Sequence, residues 1–222
     1  MRVILATMLI AGALTATRWL ILGHAEPDTC PPVCDRIPNT AWMASQAVPL
    51  DSVYRWPALA GVAMAVTGAT PRFRFEELCG TPAAPQDTHE YAVAGRAAVA
   101  NPDGQWQLQA QVLHWRGDTW LGGQLATSVF NAAVAALRTC QGGAPSQSPS
   151  ITTVQTNRMA AVISAPVIMH SYLVAHPQSS TISGLTLWST APPEVQWPAT
   201  PDATVLEAMT APLCAAYISS CQ

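Results

Sequence analysis

Six cysteines lie downstream of an apolar N-terminal segment, and this arrangement constrains the fold more than any other feature of the chain. Residues 1–25 carry Arg2 and then an apolar run from Val3 to Ala16, which is typical of an export signal. An exported chain enters an oxidising space, where thiols pair as disulfides. The sequence therefore predicts a secreted or cell-envelope protein that is held together by disulfide bonds.

The N-terminal segment has two interpretations. Small residues at the −3 and −1 positions of Gly23-His24-Ala25 favour a signal peptide that is cleaved after Ala25. The alternative is an uncleaved anchor, because the stretch from Val3 to Gly23 is long enough to span a bilayer. Arg18 argues against an anchor, since a charge inside the apolar core of a bilayer is costly. We expect contact with a membrane only through an uncleaved segment.

The geometry of a helix reduces the number of ways in which the six cysteines can pair. Two positions seven apart on a helix lie about 10 Å apart along its axis, whereas a disulfide needs Cα atoms within about 7 Å. The two C-terminal cysteines therefore cannot join each other within a helix, and we expect them to pair with the two N-terminal ones across the chain. Local pairing at each end of the chain is the alternative. The cysteines are Cys30, Cys34, Cys79, Cys140, Cys214 and Cys221, and Cys79 is expected to pair with Cys140.

Composition and motifs exclude several classes of function. The chain is 50% hydrophobic and 10% charged with a net charge of −3, and its arginines form no basic cluster, so we expect no nucleic-acid partner. Zinc knuckles, closely spaced histidines, a GxSxG elbow and a phosphate-binding glycine loop do not occur. We therefore expect no catalytic residue, cofactor or metal. A hydrolase whose catalytic triad has no sequence signature is the alternative.

Alternation and turn chemistry predict antiparallel strands in both halves of the chain. Asn101-Pro102-Asp103-Gly104 is a strong turn sequence, because Pro presets φ and Gly supplies a positive φ. It separates predicted strands at 90–100 and 106–115. Further strands are predicted at 61–67, 72–78, 151–156, 159–164, 167–175 and 181–190.

Helical spacing predicts two helices. Apolar residues from Val129 to Leu137 indicate a helix over 127–140, and Asp202 is expected to cap a second helix. A loop rich in Gly, Pro and Ser covers 142–150. We expect residues 26–222 to form a single disulfide-stapled α+β domain, in which helices pack on one face of an antiparallel sheet.

Three of the eight tryptophans cluster in sequence around one end of the predicted hairpin, and they define a candidate binding surface. They either fill the core, which we expect, or form a stacking surface for a ligand. Arg116-Gly117-Asp118 lies between two of them and is the tripeptide that integrins recognise, although Gly-Asp also suits a loop tip. The candidate surface consists of Trp106, Trp115, Arg116, Asp118 and Trp120.

Two segments and the lysine-free, Ala- and Pro-rich composition resemble known proteins. The segments are 126–140 (ATSVFNAAVAALRTC) and 211–221 (APLCAAYISSC). The chain resembles exported mycobacterial proteins of uncharacterised function over most of its length. Through Cys79 and the helix-ending Cys140 it is more loosely similar to the extracytoplasmic sensor domains of mycobacterial receptor kinases. It departs from them in having no kinase domain and in adding an arm with Cys30 and Cys34.

That second resemblance implies an α+β domain that senses a ligand. We therefore expect a binding or sensor-like domain for an envelope ligand or a protein partner. The alternatives are a cell-envelope hydrolase and a surface adhesin that uses Arg116-Gly117-Asp118. A binding domain should present a concave, Trp-lined surface, whereas a hydrolase should place a nucleophile in a hydrogen bond with a base.

Overall fold

A computed structural model describes residues 29–31, 33–66, 72–81, 92–143, 149–165 and 167–221. The predicted export segment and its cleavage after Ala25 lie outside the described residues. Among the described helices, none combines the length and the hydropathy that a membrane span requires.

The described residues form seven strands and five α-helices. The strands are β1 (Ala63–Ala65), β2 (Ala92–Val99), β3 (Gln107–Trp115), β4 (Ser150–Val154), β5 (Arg158–Ile163), β6 (Ile168–His176) and β7 (Thr181–Ser189). The helices are α1 (Asp51–Tyr54), α2 (Leu59–Val62), α3 (Arg74–Leu78), α4 (Thr119–Gly143) and α5 (Asp202–Ala216). Short 3₁₀ turns lie at Asn39–Ala41, Ser45–Ala47 and Pro177–Ser179.

All seven strands pair antiparallel in one sheet, in the order β1-β2-β3-β7-β6-β5-β4. The central pair, β3 and β7, joins the N-terminal strands to the C-terminal ones. Helix α4 follows β3 and leads the chain from the centre of the sheet towards β4 at its far edge. The sheet is therefore continuous across both halves of the chain.

The predicted hairpin between β2 and β3 is confirmed, with Val99 opposite Leu108 at its closed end. Gly104 has a φ of 80°, a conformation that glycine adopts without a steric penalty. The Asn101 side-chain amide donates a hydrogen bond to the Trp106 carbonyl at 2.7 Å. The turn sequence thus fixes the register of the two strands.

Apolar side chains cover both faces of the sheet. Alternation along β6 places Tyr172 in one core and Leu173 in the other. Helix α5 and the segment around Trp42 pack on the first face, whereas α4, through Phe130, and α3, through Phe75, pack on the second. The predicted α+β class, with its antiparallel sheet and disulfides, is confirmed. The helices lie on both faces of that sheet instead of one.

Residues 72–78 were expected to form a strand, and this prediction is wrong, because Arg74–Leu78 is the helix α3. The Glu76 carboxylate accepts a hydrogen bond from the Phe73 backbone N–H at 2.9 Å, which closes the first turn of the helix. Arg74 also pairs with Glu77 one turn later, at 2.8 Å. Local side-chain contacts at helical spacing thus outweigh a short alternating pattern.

Three disulfides are present, and none of the six cysteines is free. They join Cys30 to Cys34, Cys79 to Cys140 and Cys214 to Cys221. The expected Cys79–Cys140 pair is confirmed, whereas the cross-chain pairing of the terminal cysteines is wrong. The reason is that α5 ends at Ala216 and Ser219 takes a left-handed φ of 64°. The chain reverses there, and the Cα atoms of Cys214 and Cys221 come within 5.3 Å of each other.

The N-terminal arm nevertheless lies against the end of α5. The Cys30 N–H donates to the Ala216 carbonyl at 2.9 Å, and the Ile218 N–H donates to the Cys30 carbonyl at 3.0 Å. Backbone hydrogen bonds therefore hold the two ends together, in the place where disulfides were expected.

Candidate functional site

A surface groove lies between the first three turns of α4 and the turn Pro177–Ser179, which connects β6 to β7. Its volume is about 710 Å³, large enough for a small-molecule or short oligomeric ligand. The lining residues are Thr119, Trp120, Gly123, Gln124, Thr127, Ser128, Asn131, Pro177 and Gln178.

Two adjacent glycines allow α4 to lie directly on this turn. A Cβ atom on Gly123 would lie 2.6 Å from the Pro177 carbonyl oxygen, and one on Gly122 would lie 2.5 Å from Ser180 Oγ. The Ser180 hydroxyl donates to the Thr119 carbonyl at 3.1 Å, which ties the turn to the start of the helix. The close approach of helix and turn sets the shape of the groove.

Helical spacing aligns the polar side chains along the groove. Trp120, Gln124, Thr127, Ser128 and Asn131 recur at intervals of three and four, so they share one face of α4. Thr127 donates its hydroxyl to the Gly123 carbonyl at 2.9 Å. The other polar side chains of this stripe make no hydrogen bond within the described part of the chain and are available to a ligand.

The five residues of the predicted binding surface do not lie together. Trp106 and Trp115 are fully buried, in the cores on opposite faces of the sheet, and the Trp106 indole donates to the Val195 carbonyl at 2.8 Å. Trp120 is 72% exposed, so the expectation that it fills the core is wrong. It lies in the first turn of α4, where the indole faces solvent and one edge of the groove.

Arg116-Gly117-Asp118 forms the exposed connection between β3 and α4. The Asp118 carboxylate accepts a hydrogen bond from the Leu121 backbone N–H at 2.8 Å, as expected of a residue that caps a helix. Gly117 has a φ of 97° in this tight connection. The tripeptide thus has a structural role at the start of α4.

Two histidine–hydroxyl pairs bear on the hydrolase alternative. His114 Nδ1 lies 3.0 Å from Thr181 Oγ1, and His176 Nδ1 lies 2.8 Å from Ser179 Oγ. All four residues are buried. The Thr181 hydroxyl donates to the Ser179 carbonyl, and the Ser179 hydroxyl donates to the His176 carbonyl. These hydroxyls are therefore closed to a substrate and act as structural hydrogen-bonding groups.

A third histidine lies in an aromatic cluster. The rings of His170 and Trp197 are stacked, with centroids 3.6 Å apart, and Trp106 packs 5.0 Å from Trp197. Burial lowers the pKa of His170 to about 4, although the Asp202 carboxylate opposes this shift. Burial also raises the pKa of Tyr172. His170 is therefore neutral at pH 7, and it anchors the Pro-rich segment before α5.

One group of potential metal ligands occurs within the described ranges. His176, Cys214 and Cys221 bring a ring nitrogen and two sulfurs within 4.8 Å of one another. The two sulfurs are bonded to each other as a disulfide, so neither offers the thiolate that a metal requires. In this form the group is not a metal centre.

The polar stripe of the groove was missed at the level of sequence. Its members became recognisable only with the true start of α4 at Thr119, because the helix was predicted to begin at Thr127. Asp118, three residues before Leu121, is the signal that would have located the start.

Comparisons of the chain with protein-family models, with curated proteins and with solved structures found no match.

Proposed function

We propose that this chain is a secreted or cell-envelope binding domain whose site is the groove along α4. The exposed indole of Trp120 beside uncharged amide and hydroxyl groups carries the proposal. Large aromatic side chains are costly to leave in water, so such a side chain at the edge of a concave surface favours a ligand-binding role.

The lining of the groove points to a neutral, polyhydroxylated ligand such as an oligosaccharide. None of its lining residues is ionisable at neutral pH, so it lacks the cationic groups that recognise phosphate or carboxylate. Amides such as those of Gln124, Asn131 and Gln178 both donate and accept hydrogen bonds, as hydroxyl groups of a ligand require. The flat indole of Trp120 offers an apolar face to the C–H face of a sugar ring.

The three disulfides support a location outside the cytosol, because disulfides persist in oxidising compartments. An envelope or extracellular location is also where neutral polysaccharides are accessible to a protein. We therefore place the proposed binding activity in the cell envelope or the secreted fraction.

Titration calorimetry with a panel of neutral oligosaccharides, derived from glucan, mannan, galactan and arabinan, tests this function. We expect at least one of them to bind, and Trp120→Ala to weaken that binding about tenfold, since burying a large apolar side chain contributes about 1.5–3 kcal/mol. The thermal midpoint of the variant should stay close to that of the wild type, because an exposed side chain contributes little to the core.

Leu121→Ala provides a matched control. Leu121 is the next residue of α4, is 48% exposed, and does not line the groove, so its loss should leave binding unchanged. Equal binding by wild type and Trp120→Ala, or failure of every oligosaccharide to bind, would contradict the proposal.

A further inference from the structure

The Cys214–Cys221 disulfide lies beside a buried histidine at the C-terminal end of α5. His176 Nε2 lies 3.3 Å from Cys221 Sγ and 3.7 Å from Cys214 Sγ. Residue Cys221 is exposed, Cys214 is half-buried, and His176 as a whole is only 7% exposed. Of the two cysteines, Cys221 is thus the more accessible to an external reagent, whereas His176 is a buried residue.

Hydrogen bonding assigns the tautomer of His176. The Ser179 hydroxyl has one proton, and it donates this proton to the His176 carbonyl, 3.2 Å away. We assign the imidazole N–H as the donor in the contact of 2.8 Å between His176 Nδ1 and Ser179 Oγ, because only then do both the carbonyl and Ser179 Oγ accept a hydrogen bond. In the neutral ring, His176 Nε2 is consequently an acceptor, and it faces the two sulfurs.

Among the described residues, this acceptor has no donor while the disulfide is intact, because neither sulfur carries a proton. No other hydrogen-bond partner of His176 Nε2 occurs in the described part of the chain. Reduction gives each sulfur a proton, and either thiol can then donate to the buried nitrogen. The dithiol form thus satisfies a buried polar atom that the disulfide form leaves unpaired, and this difference favours reduction.

We propose that Cys214–Cys221 is a thiol–disulfide exchange site for an external dithiol, and that His176 stabilises its reduced form. This activity is independent of the groove and goes beyond the binding function proposed above.

The exchange balances in two steps. A thiolate of the dithiol attacks the exposed Cys221 sulfur, the Cys214–Cys221 bond breaks, and Cys214 leaves as a thiolate that takes a proton from solvent and donates it towards His176 Nε2. The second thiol of the reagent then attacks the reagent's other sulfur, which is bonded to Cys221 in the mixed disulfide. This step releases Cys221, which takes up the proton of the attacking thiol. The reagent is oxidised to a disulfide and the protein is reduced to a dithiol.

Other contacts hold the end of the chain in place when this bond opens. The Ser220 hydroxyl bonds to the Tyr217 carbonyl at 2.6 Å, and Cys30 pairs with the backbone on both sides of Tyr217. Tyr217 is fully buried and stacks on His114 at 4.5 Å. We therefore expect the bond to open without unfolding of the domain.

Dithiothreitol redox buffers test the proposal on the disulfide-intact protein. At each ratio of reduced to oxidised reagent, thiols are trapped by alkylation, and peptide mass spectrometry gives the fraction of Cys214 and Cys221 that is reduced. We expect this bond to open while Cys79–Cys140 stays intact and circular dichroism stays native. His176→Phe, which removes the acceptor, should lower the reduction constant about tenfold.

Two further variants separate this role from packing. Ser179→Ala keeps the imidazole but removes the acceptor for its Nδ1 proton, which can then sit on Nε2, so the reduction constant should fall by a smaller factor. His170→Phe makes the same replacement in another histidine, which stacks on Trp197, and it should leave the constant unchanged.

An unchanged constant in His176→Phe would overturn the proposal, as would opening of all three disulfides together on unfolding. If His176→Phe does not fold, Ser179→Ala decides, and a constant equal to that of the wild type in this variant would overturn the proposal.

Discussion

Gly123 sets the distance between α4 and the turn at Pro177, and a single methyl group there tests how the groove is built. The added Cβ would lie 2.6 Å from the Pro177 carbonyl oxygen, closer than van der Waals contact allows. Alanine favours a helix over glycine by about 1 kcal/mol, but relief of the clash requires movement of the backbone. We expect Gly123→Ala to lower the free energy of unfolding by about 1–3 kcal/mol in urea titrations.

Gly142→Ala is the matched control in the same helix, because a Cβ at Gly142 meets no atom within 4 Å. This change should leave stability unchanged or raise it by up to about 1 kcal/mol. Equal effects of the two substitutions would mean that the contact with Pro177 does not limit the approach of α4.

His170 makes stability depend on pH. Its pKa is lowered by burial to about 4 in the folded chain, whereas an unfolded histidine titrates near pH 6.5. The unfolded state therefore binds more protons than the folded state between these pH values. The contribution of His170 to the free energy of unfolding is complete above about pH 6.5 and is lost as the pH drops towards 4. Burial and the Arg158 charge lower the pKa of His176 as well, which adds to the same trend.

His170→Phe keeps an aromatic ring against Trp197 and removes the titration. Urea midpoints measured between about pH 7 and pH 4 should fall less steeply in this variant than in the wild type. The test compares the slopes of the two profiles, and not the slope of either protein alone. Burial raises the pKa of Glu76 in both proteins, so Glu76 makes both more stable as the pH falls and opposes the effect of His170. Parallel pH profiles would contradict the prediction.

At the scale of elements, local patterns predicted structure wherever one interaction dominates. The turn at Asn101–Gly104 fixed a hairpin, and the apolar stripe from Val129 to Leu137 fixed a helix that packs on the sheet. The strand prediction for residues 72–78 failed, because the same short segment satisfies both an alternating pattern and a capped helical turn. A short segment carries too little periodicity to separate the two.

The candidate site was only partly predictable. Its exposed tryptophan was singled out, but its exposure depends on where α4 begins, and the helix begins eight residues before the predicted start. The disulfide pairing of the terminal cysteines depended likewise on where α5 ends. Helix boundaries were therefore the main source of error, since caps such as Asp118 and turns such as that at Ser219 decide them.

At the scale of the whole molecule, the sheet is a layer covered on both faces, and β7 shows why. Almost every residue of Thr181–Ser189 is buried, including its serines and threonines, as expected of a central strand with a core on each side. The turn before it serves both proposed sites. Pro177 and Gln178 line the groove, whereas His176 and Ser179 hold the environment of the Cys214–Cys221 disulfide.

The Cys79–Cys140 disulfide contributes to the stability of the whole domain because it links distant parts of the chain. It joins the segment after α3 to the last turns of α4, across a sequence separation of 61 residues. In the chain-entropy model a loop of that size stabilises the folded state by about 4 kcal/mol. We expect the double variant Cys79→Ala/Cys140→Ala to lose about this amount in urea unfolding.

Cys30→Ala/Cys34→Ala provides the comparison, since its disulfide closes a separation of only 4 residues and the same model gives about 2 kcal/mol. The larger loss should therefore follow removal of the long-range bond. We expect this although Cys30 is buried and its backbone pairs with Tyr217 at the end of α5. A larger loss from removal of the short bond would mean that backbone pairing at Cys30, and not restriction of the unfolded chain, dominates the contribution of the disulfides to stability.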